Sequence, residues 1–170
     1  PEIDLGRLRA WKDGVVGRLT GGLATLARQR TVTTVRGYGR FTSPHELAVE
    51  LAEGGAVSVG FEHAIIAAGS EAITLPFIPA SDPRVIDSTG ALEIAEVPGR
   101  LLVIGGGIIG LEMATVYHEL GAQITVVELL DQLIPGADRD VVAPLAKRVA
   151  RLYEDVFLRT RVTGVEAESE

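Results

Sequence analysis

Along Leu101 to Glu128 the hydrophobic period changes twice. Leu101 to Ile104 is a continuous apolar run, which predicts a parallel strand buried on both faces. Leu111, Ala114, Val116, Tyr117 and Leu120 follow at helical spacing, with Gly121 placed to cap the helix. Ile124 to Val127 is a second apolar strand, ending in Glu128. Strand, helix, strand over this length is a βαβ unit.

The rest of the chain reads by the same rules. Leu5, Leu8, Trp11, Val15, Leu19, Leu23 and Leu26 recur at three- and four-residue steps, predicting an amphipathic helix from Ile3 to about Arg28 with Asp4 as N-cap and the apolar stripe in the core. Gly14, Gly17, Gly21 and Gly22 each cost about 1 kcal/mol relative to Ala, so packing must hold this helix. The β-branched run Thr31 to Arg36 predicts a strand that Gly37-Tyr38-Gly39 breaks. Those glycines mark either a simple bend or a place where backbone approaches a flat ligand. Phe41 to Val49 and Ala56 to Val59 read as a small antiparallel hairpin around Glu53-Gly54-Gly55. His63 to Ser70 reads as a further apolar strand ending in small residues. Pro76, Pro79 and Pro83 then mark an extended connection. Ser88 N-caps a short helix to about Ala95, closed by Val97-Pro98-Gly99. Past Glu128 comes a loop turning at Pro135-Gly136. A helix from about Asp140 to Tyr153 follows, N-capped by Asp138, with Val142, Leu145, Val149 and Leu152 on one face, then a third strand from Val156 to Val162. The fold class is α/β: Rossmann-type βαβ units with a parallel sheet, plus a small antiparallel hairpin. A domain boundary falls at about Thr89 to Gly99, separating 1–96 from 97–170.

Bulk properties narrow the function classes. A length of 170 residues suits one domain or two small ones. Hydrophobic content of 46% and charged content of 23% are those of a globular protein. A net charge of −7 argues against a nucleic-acid surface. No apolar run reaches the roughly 20 residues of a membrane helix. The chain has no cysteine, hence no disulfide and no thiolate chemistry of its own, which is compatible with a cytoplasmic location. His45, His63 and His118 share no metal-ligand spacing, and no metal site is expected. The start at Pro1, without Met or a signal-peptide pattern, suggests a piece of a longer protein.

The chemistry lies in the βαβ unit. Gly105, Gly107 and Gly110 have the G-x-G-x-x-G spacing of a dinucleotide-binding turn, in which a tight turn, close approach to a pyrophosphate and close helix packing each need a glycine. Gly105, Gly106, Gly107, Ile108, Ile109, Gly110 and Leu111 thus form a candidate phosphate cradle, since a helix N-terminus favours negative charge. Glu128, 18 residues after Gly110, is placed to accept hydrogen bonds from an adenosine ribose, and its charge disfavours a 2'-phosphate. NAD is therefore expected rather than NADP. A flavin site, or a glycine turn that binds nothing, is the alternative.

A resemblance covers nearly the whole chain. IIAAGS at Ile65 to Ser70, DSTGAL at Asp87 to Leu92, the stretch from Val97 to Ala122, and VVELLDQLIPGADRD at Val126 to Asp140 resemble the dihydrolipoyl dehydrogenase branch of the flavin-dependent disulfide oxidoreductases. WKDGVVGRLTGGLA and RGYGRF resemble that family's segment downstream of its redox-active cysteines. The resemblance implies FAD as well as NAD. It matches Gly39 to a backbone contact with the flavin cofactor's adenine half, and Ala68, Gly69 and Ser70 to the second flavin-cofactor motif. It matches Gly105 to Gly110 and Glu128 to the NAD site, and Glu112 to an acid near the nicotinamide. It also implies a homodimer, a lipoyl domain of a 2-oxo acid dehydrogenase complex as partner, and transfer of electrons from dihydrolipoyl groups to a cysteine pair, then flavin, then NAD. The Cys-x4-Cys motif, the N-terminal flavin glycine motif and the interface domain with its His and Glu pair are absent from the sequence. The chain is thus expected to be an incomplete two-domain fragment of an FAD/NAD(P)-binding fold, with no catalytic residue of its own and inactive alone. Competing readings are a glutathione or mercuric reductase type and a non-catalytic NAD-binding module.

Overall fold

The computed structural model describes residues 3–168. They form two compact units, one of Ala10–Ser70 and the other of the remaining described residues.

Helix α1 spans Leu5–Gln29, and Asp4 caps it, its Oδ1 accepting the Arg7 N–H at 3.0 Å. The expected burial of the apolar stripe is corrected: no residue of α1 is buried, and Trp11 is 67% exposed. Periodicity reports that one side of a helix is apolar. Burial needs a second element along the whole of that side, and among the described residues no element packs extensively against α1.

Strands β1 (Gly37–Ser43), β2 (Glu46–Leu51) and β3 (Ala56–Gly60) make an antiparallel sheet in the order β1-β2-β3. Three sequence readings change here. Residues 31–36 are not a strand. The β1–β2 ladder ends at Gly37 opposite Leu51, and beyond Leu51 the partner turns away into Glu53-Gly54-Gly55. Gly37-Tyr38-Gly39 accordingly begins a strand instead of breaking one. The stretch Phe41 to Val49 is two strands, split by a turn at Pro44-His45, so the hairpin is a three-stranded meander. Pro44 has no N–H for a ladder. Val49 is buried in this sheet, and Phe41 packs edge-on against Phe61 with ring centroids 5.9 Å apart.

Residues 63–70, expected as a strand, have no strand structure, and Ile65 is 95% exposed. A parallel strand exists only through its neighbours' hydrogen bonds, and no described strand lies beside this run.

In the second unit the proline segment proceeds through successive turns. There the Arg84 guanidinium and backbone N–H bond Asp82 and hold its carboxyl down to about 2. Helix α2 (Ser88–Glu93) is capped by Asp87 rather than by Ser88: Asp87 Oδ1 accepts the Gly90 N–H at 2.8 Å. Strand β4 (Arg100–Ile104), helix α3 (Ile108–Glu119) and strand β5 (Gln123–Val127) form the βαβ unit, with β4 and β5 parallel in the register Leu101 to Ile124 and Ile104 to Val127. The Gly121 N–H reaches the His118 carbonyl and the Ala122 N–H the Tyr117 carbonyl, each at 2.9 Å, which closes α3 as a Schellman motif. Helix α4 (Arg139–Leu152) begins after Asp138 and leads to β6 (Asp155–Phe157), parallel to β5. Asp138 occupies the N-cap with no side-chain capping bond.

The core lies on one side of the sheet β4-β5-β6. Leu111, Ala114 and Tyr117 of α3 pack with Ile124 and Val126 of β5 and with Val142 and Val149 of α4. Burial of β4 on both faces is therefore corrected: Leu102 is 52% exposed while Leu101 and Val103 pack against the core. The third strand is three residues, not seven. After Phe157 the chain bends at Arg159 (φ 52°), and the Arg159 and Thr160 N–H groups turn to the Leu130 and Glu128 carbonyls at 2.8 and 2.9 Å. Leu152, expected on the buried face of α4, is exposed.

Tyr117 joins α3 to α2. Its buried hydroxyl donates to the Ala91 carbonyl at 3.0 Å, and burial, with the charge of Glu96, raises its pKa. Tyr117→Phe is expected to cost about 1 kcal/mol by removing a donor from a buried carbonyl. Denaturant unfolding of the full-length chain measures this; unchanged stability would mean that water replaces the bond.

No helix among the described residues is long and apolar enough to cross a membrane.

Candidate dinucleotide-binding turn

The turn between β4 and α3 is built by local chemistry first. Gly105 adopts φ 110°, which an L side chain rarely does, and its N–H bonds the Val127 carbonyl at 2.8 Å, tying the turn to the end of β5. Gly107 is the N-cap of α3 and has no side chain to cap it. The first-turn N–H groups, at Ile108, Ile109 and Gly110, have no acceptor within the helix and are open to an anionic one from outside it. Ile108 and Ile109 are exposed beside them. A Cβ on Gly110 would fall onto the Gly105 carbonyl oxygen and lie 3.2 Å from Val103 Cγ1, so this glycine lets the helix sit against the strand.

Glu128 is the one buried charged residue among those described, 7% exposed. Its Oε2 accepts the Gly106 N–H and its Oε1 the Leu130 N–H, each at 2.7 Å. The acid at the end of β5 is therefore a bracket between the glycine turn and the loop after it. Each carboxylate oxygen keeps a second lone pair, so the bracket still has acceptor capacity for a hydroxyl.

The structure thus brings Gly105, Gly106, Gly107, Gly110 and Glu128 together. Leu111 is on the same turn of helix, but its side chain is in the core and its N–H donates to the Gly107 carbonyl at 3.1 Å, so it holds the turn together instead of facing a ligand. Glu112 follows it on the exposed side of α3. The residues matched to a flavin cofactor belong to the other unit. Gly39 pairs with Val49 in β1–β2, and a Cβ there would touch the Leu47 side chain at 3.2 Å. Ala68, Gly69 and Ser70 are exposed, Gly69 has φ 75°, and nothing lies within 4 Å of a Cβ placed on it. These positions do not form a cradle within the described residues.

Sequence reasoning reads Leu129 to Asp140 as a loop turning at Pro135-Gly136 and misses its part in the site. Leu133 is 2% exposed, and its Cδ2 would be 2.7 Å from a Cβ on Gly106. The Ile134 N–H donates to the Gly106 carbonyl at 2.8 Å. Two large apolar residues directly before Pro135-Gly136 were the available signal.

Comparison with known proteins agrees with this geometry. Residues 2–170 match the family model described as pyridine nucleotide-disulphide oxidoreductase. The dihydrolipoyl dehydrogenase of Vibrio cholerae is 55% identical over all 170 residues of the chain, which cover 35% of that protein. That of Haemophilus influenzae is 51% identical with the same coverage. The chain thus spans about a third of the length of these relatives. Among solved structures, the HOCl-induced flavoprotein disulfide reductase RclA of Escherichia coli matches with TM-score 0.78 and 29% identity, over 95% of this chain and 37% of that one. LpdA of Mycobacterium tuberculosis shares the fold with TM-score 0.80 at 21% identity, over 99% of this chain and 38% of that one. An α/β chain with a G-x-G-x-x-G turn closed by Glu128, matched along almost its full length, belongs to the pyridine nucleotide-disulphide oxidoreductase family.

Proposed function

We propose that the βαβ unit binds NAD and that the chain serves a dihydrolipoyl dehydrogenase, which oxidises dihydrolipoyl groups and reduces NAD with the help of FAD. The observation that carries the NAD reading is Gly107. Its φ of −75° suits any residue, and nothing lies within 4 Å of a Cβ placed on it. The fold itself asks for glycine there only as an N-cap preference over alanine, whereas a group that approaches the backbone from outside needs the bare Cα. A pyrophosphate at the start of α3 is such a group.

The cofactor, when bound, supplies the hydride chemistry. The chain's own residues orient it. First-turn N–H groups of α3 hold the phosphates, Glu128 offers its remaining lone pairs to the ribose, and Glu112 is assigned to the neighbourhood of the nicotinamide by resemblance. We assign residues 97–170 to the NAD-binding domain and residues 1–96 to the FAD-binding side, with Gly39, Ala68, Gly69 and Ser70 as its contacts. High identity to the named dehydrogenases supports a lipoyl domain as partner and a homodimer as parts of the same reading.

Titration of the full-length chain with both nicotinamide cofactors tests the assignment. NAD is expected to bind at least about tenfold more tightly than NADP, because a 2'-phosphate would bring two negative charges to a buried carboxylate. Tighter NADP binding would sink the NAD reading. Turnover of dihydrolipoamide against glutathione disulfide, by the complete flavoprotein with its redox cysteines, then tests the substrate.

A further inference from the structure

The loop after β5 meets the glycine turn through three features. Leu133 is among the largest fully buried side chains, yet it lies in a loop, against the turn at Gly106. Ile134 has φ 48°, a left-handed conformation that is a genuine outlier for a β-branched residue, and it stands directly before Pro135. Its N–H nevertheless bonds the Gly106 carbonyl at 2.8 Å, while Glu128 holds the Gly106 N–H at 2.7 Å. Both polar groups of one glycine are therefore taken by residues 22 and 28 positions downstream.

Strain of this kind persists only where the surroundings over-determine it. The surroundings do so here. A turn from the Ile134 carbonyl to the Ala137 N–H at 3.1 Å closes over Pro135 and Gly136. Gln132 Nε2 donates to the Ala137 carbonyl at 2.9 Å, and Arg139 pairs with Asp131 at 2.7 Å, anchoring the loop to the start of α4. Arg159 N–H bonds the Leu130 carbonyl at 2.8 Å from the other side.

We propose that Leu133 and Ile134 are positioning residues for the dinucleotide: the loop clamps Gly106 by a backbone bond and a buried side chain, and thereby fixes the N–H groups that open α3. The proposal rests on the NAD reading above. A phosphate cradle made of backbone gains its affinity from being held in place before the ligand arrives, and a clamp that leaves it loose loses that gain. Leu133 supplies the packing half of the clamp, and Ile134 accepts backbone strain to supply the bonded half.

The test uses the full-length protein with Leu133→Ala, Leu133→Val and Leu133→Met, measuring the dissociation constant for NAD well below each variant's melting temperature. Leu133→Ala is expected to weaken NAD about tenfold and Leu133→Val less, with Leu133→Met restored to within about threefold because it refills the volume. If Leu133→Ala does not fold, the graded Leu133→Val carries the comparison. Lowered melting temperatures with unchanged NAD affinity in the Val variant would overturn the clamp, since a merely structural leucine moves the first and not the second. A wild-type chain that binds no NAD overturns the dinucleotide reading, and the clamp with it. A wild type that binds NAD with all three variants unchanged overturns the clamp alone.

Discussion

Replacing Glu128 with Gln is expected to destabilise the chain before any cofactor is added, and to weaken NAD as well. The substitution keeps the shape and removes the charge, which at most positions is mild. Here both side-chain oxygens accept backbone N–H groups, from Gly106 and from Leu130, each at 2.7 Å. A glutamine amide has only one oxygen. In either orientation its NH2 group faces a backbone N–H, and a buried donor is left opposed to a donor. Such an unsatisfied group costs about 1–3 kcal/mol, more where the lost partner was charged. Since Gly106 sits within the phosphate turn, the loss propagates to the cradle. Unfolding of the full-length Glu128→Gln chain in urea without NAD, followed by NAD titration, separates the two effects. If stability without NAD were unchanged and only NAD affinity fell, Glu128 would be a ribose ligand and no bracket.

The second large effect contrasts two glycines of one motif. Gly110→Ala is expected to cost about 3 kcal/mol or more, because its Cβ would meet the Gly105 carbonyl, backbone that cannot swing aside as a flexible side chain can. The helix would have to lift from β4, and NAD binding would go with it. Gly107→Ala, three residues earlier, meets open space at an ordinary φ. Its stability should fall by no more than about 1 kcal/mol, the ordinary cost of alanine at an N-cap, with NAD weakened at least about tenfold by the methyl group standing where the pyrophosphate approaches. Urea unfolding and NAD titration of both full-length variants check the pair. Equal loss of stability in the two would mean that the motif is a packing device throughout, and would remove the main support for the dinucleotide site.

The two acidic surface pairs are small contributions beside these. Asp82 and Asp131 both have lowered pKa values, chiefly through hydrogen bonds from Arg84 and Arg139. Their folded-state values lie below the unfolded ones, so any stability they add is present at neutral pH and is lost as pH falls through the folded values. Solvent screens both pairs.

How far the sequence reading reached follows from the range of the forces involved. The βαβ unit was legible because its signals are local: an apolar run, a 3.6-residue period, a glycine spacing and the capping sites at Asp4, Asp138 and Gly121 are each set by residues within a few positions of one another. The acid at the end of β5 was legible as well, since the length of one helix and two strands sets its distance from the turn. Trp11 was misplaced, because a helical stripe says which side is apolar and not what covers it. The strand expected at His63 to Ser70 failed for the same reason, as its existence depends on partners that periodicity cannot supply. Glu128 bonding Gly106, and Ile134 held left-handed against the same glycine, were out of reach altogether. Those contacts arise only when β4 and β5 pair in parallel and carry the loop after β5 across the turn after β4, a juxtaposition made by sheet register and by no local pattern.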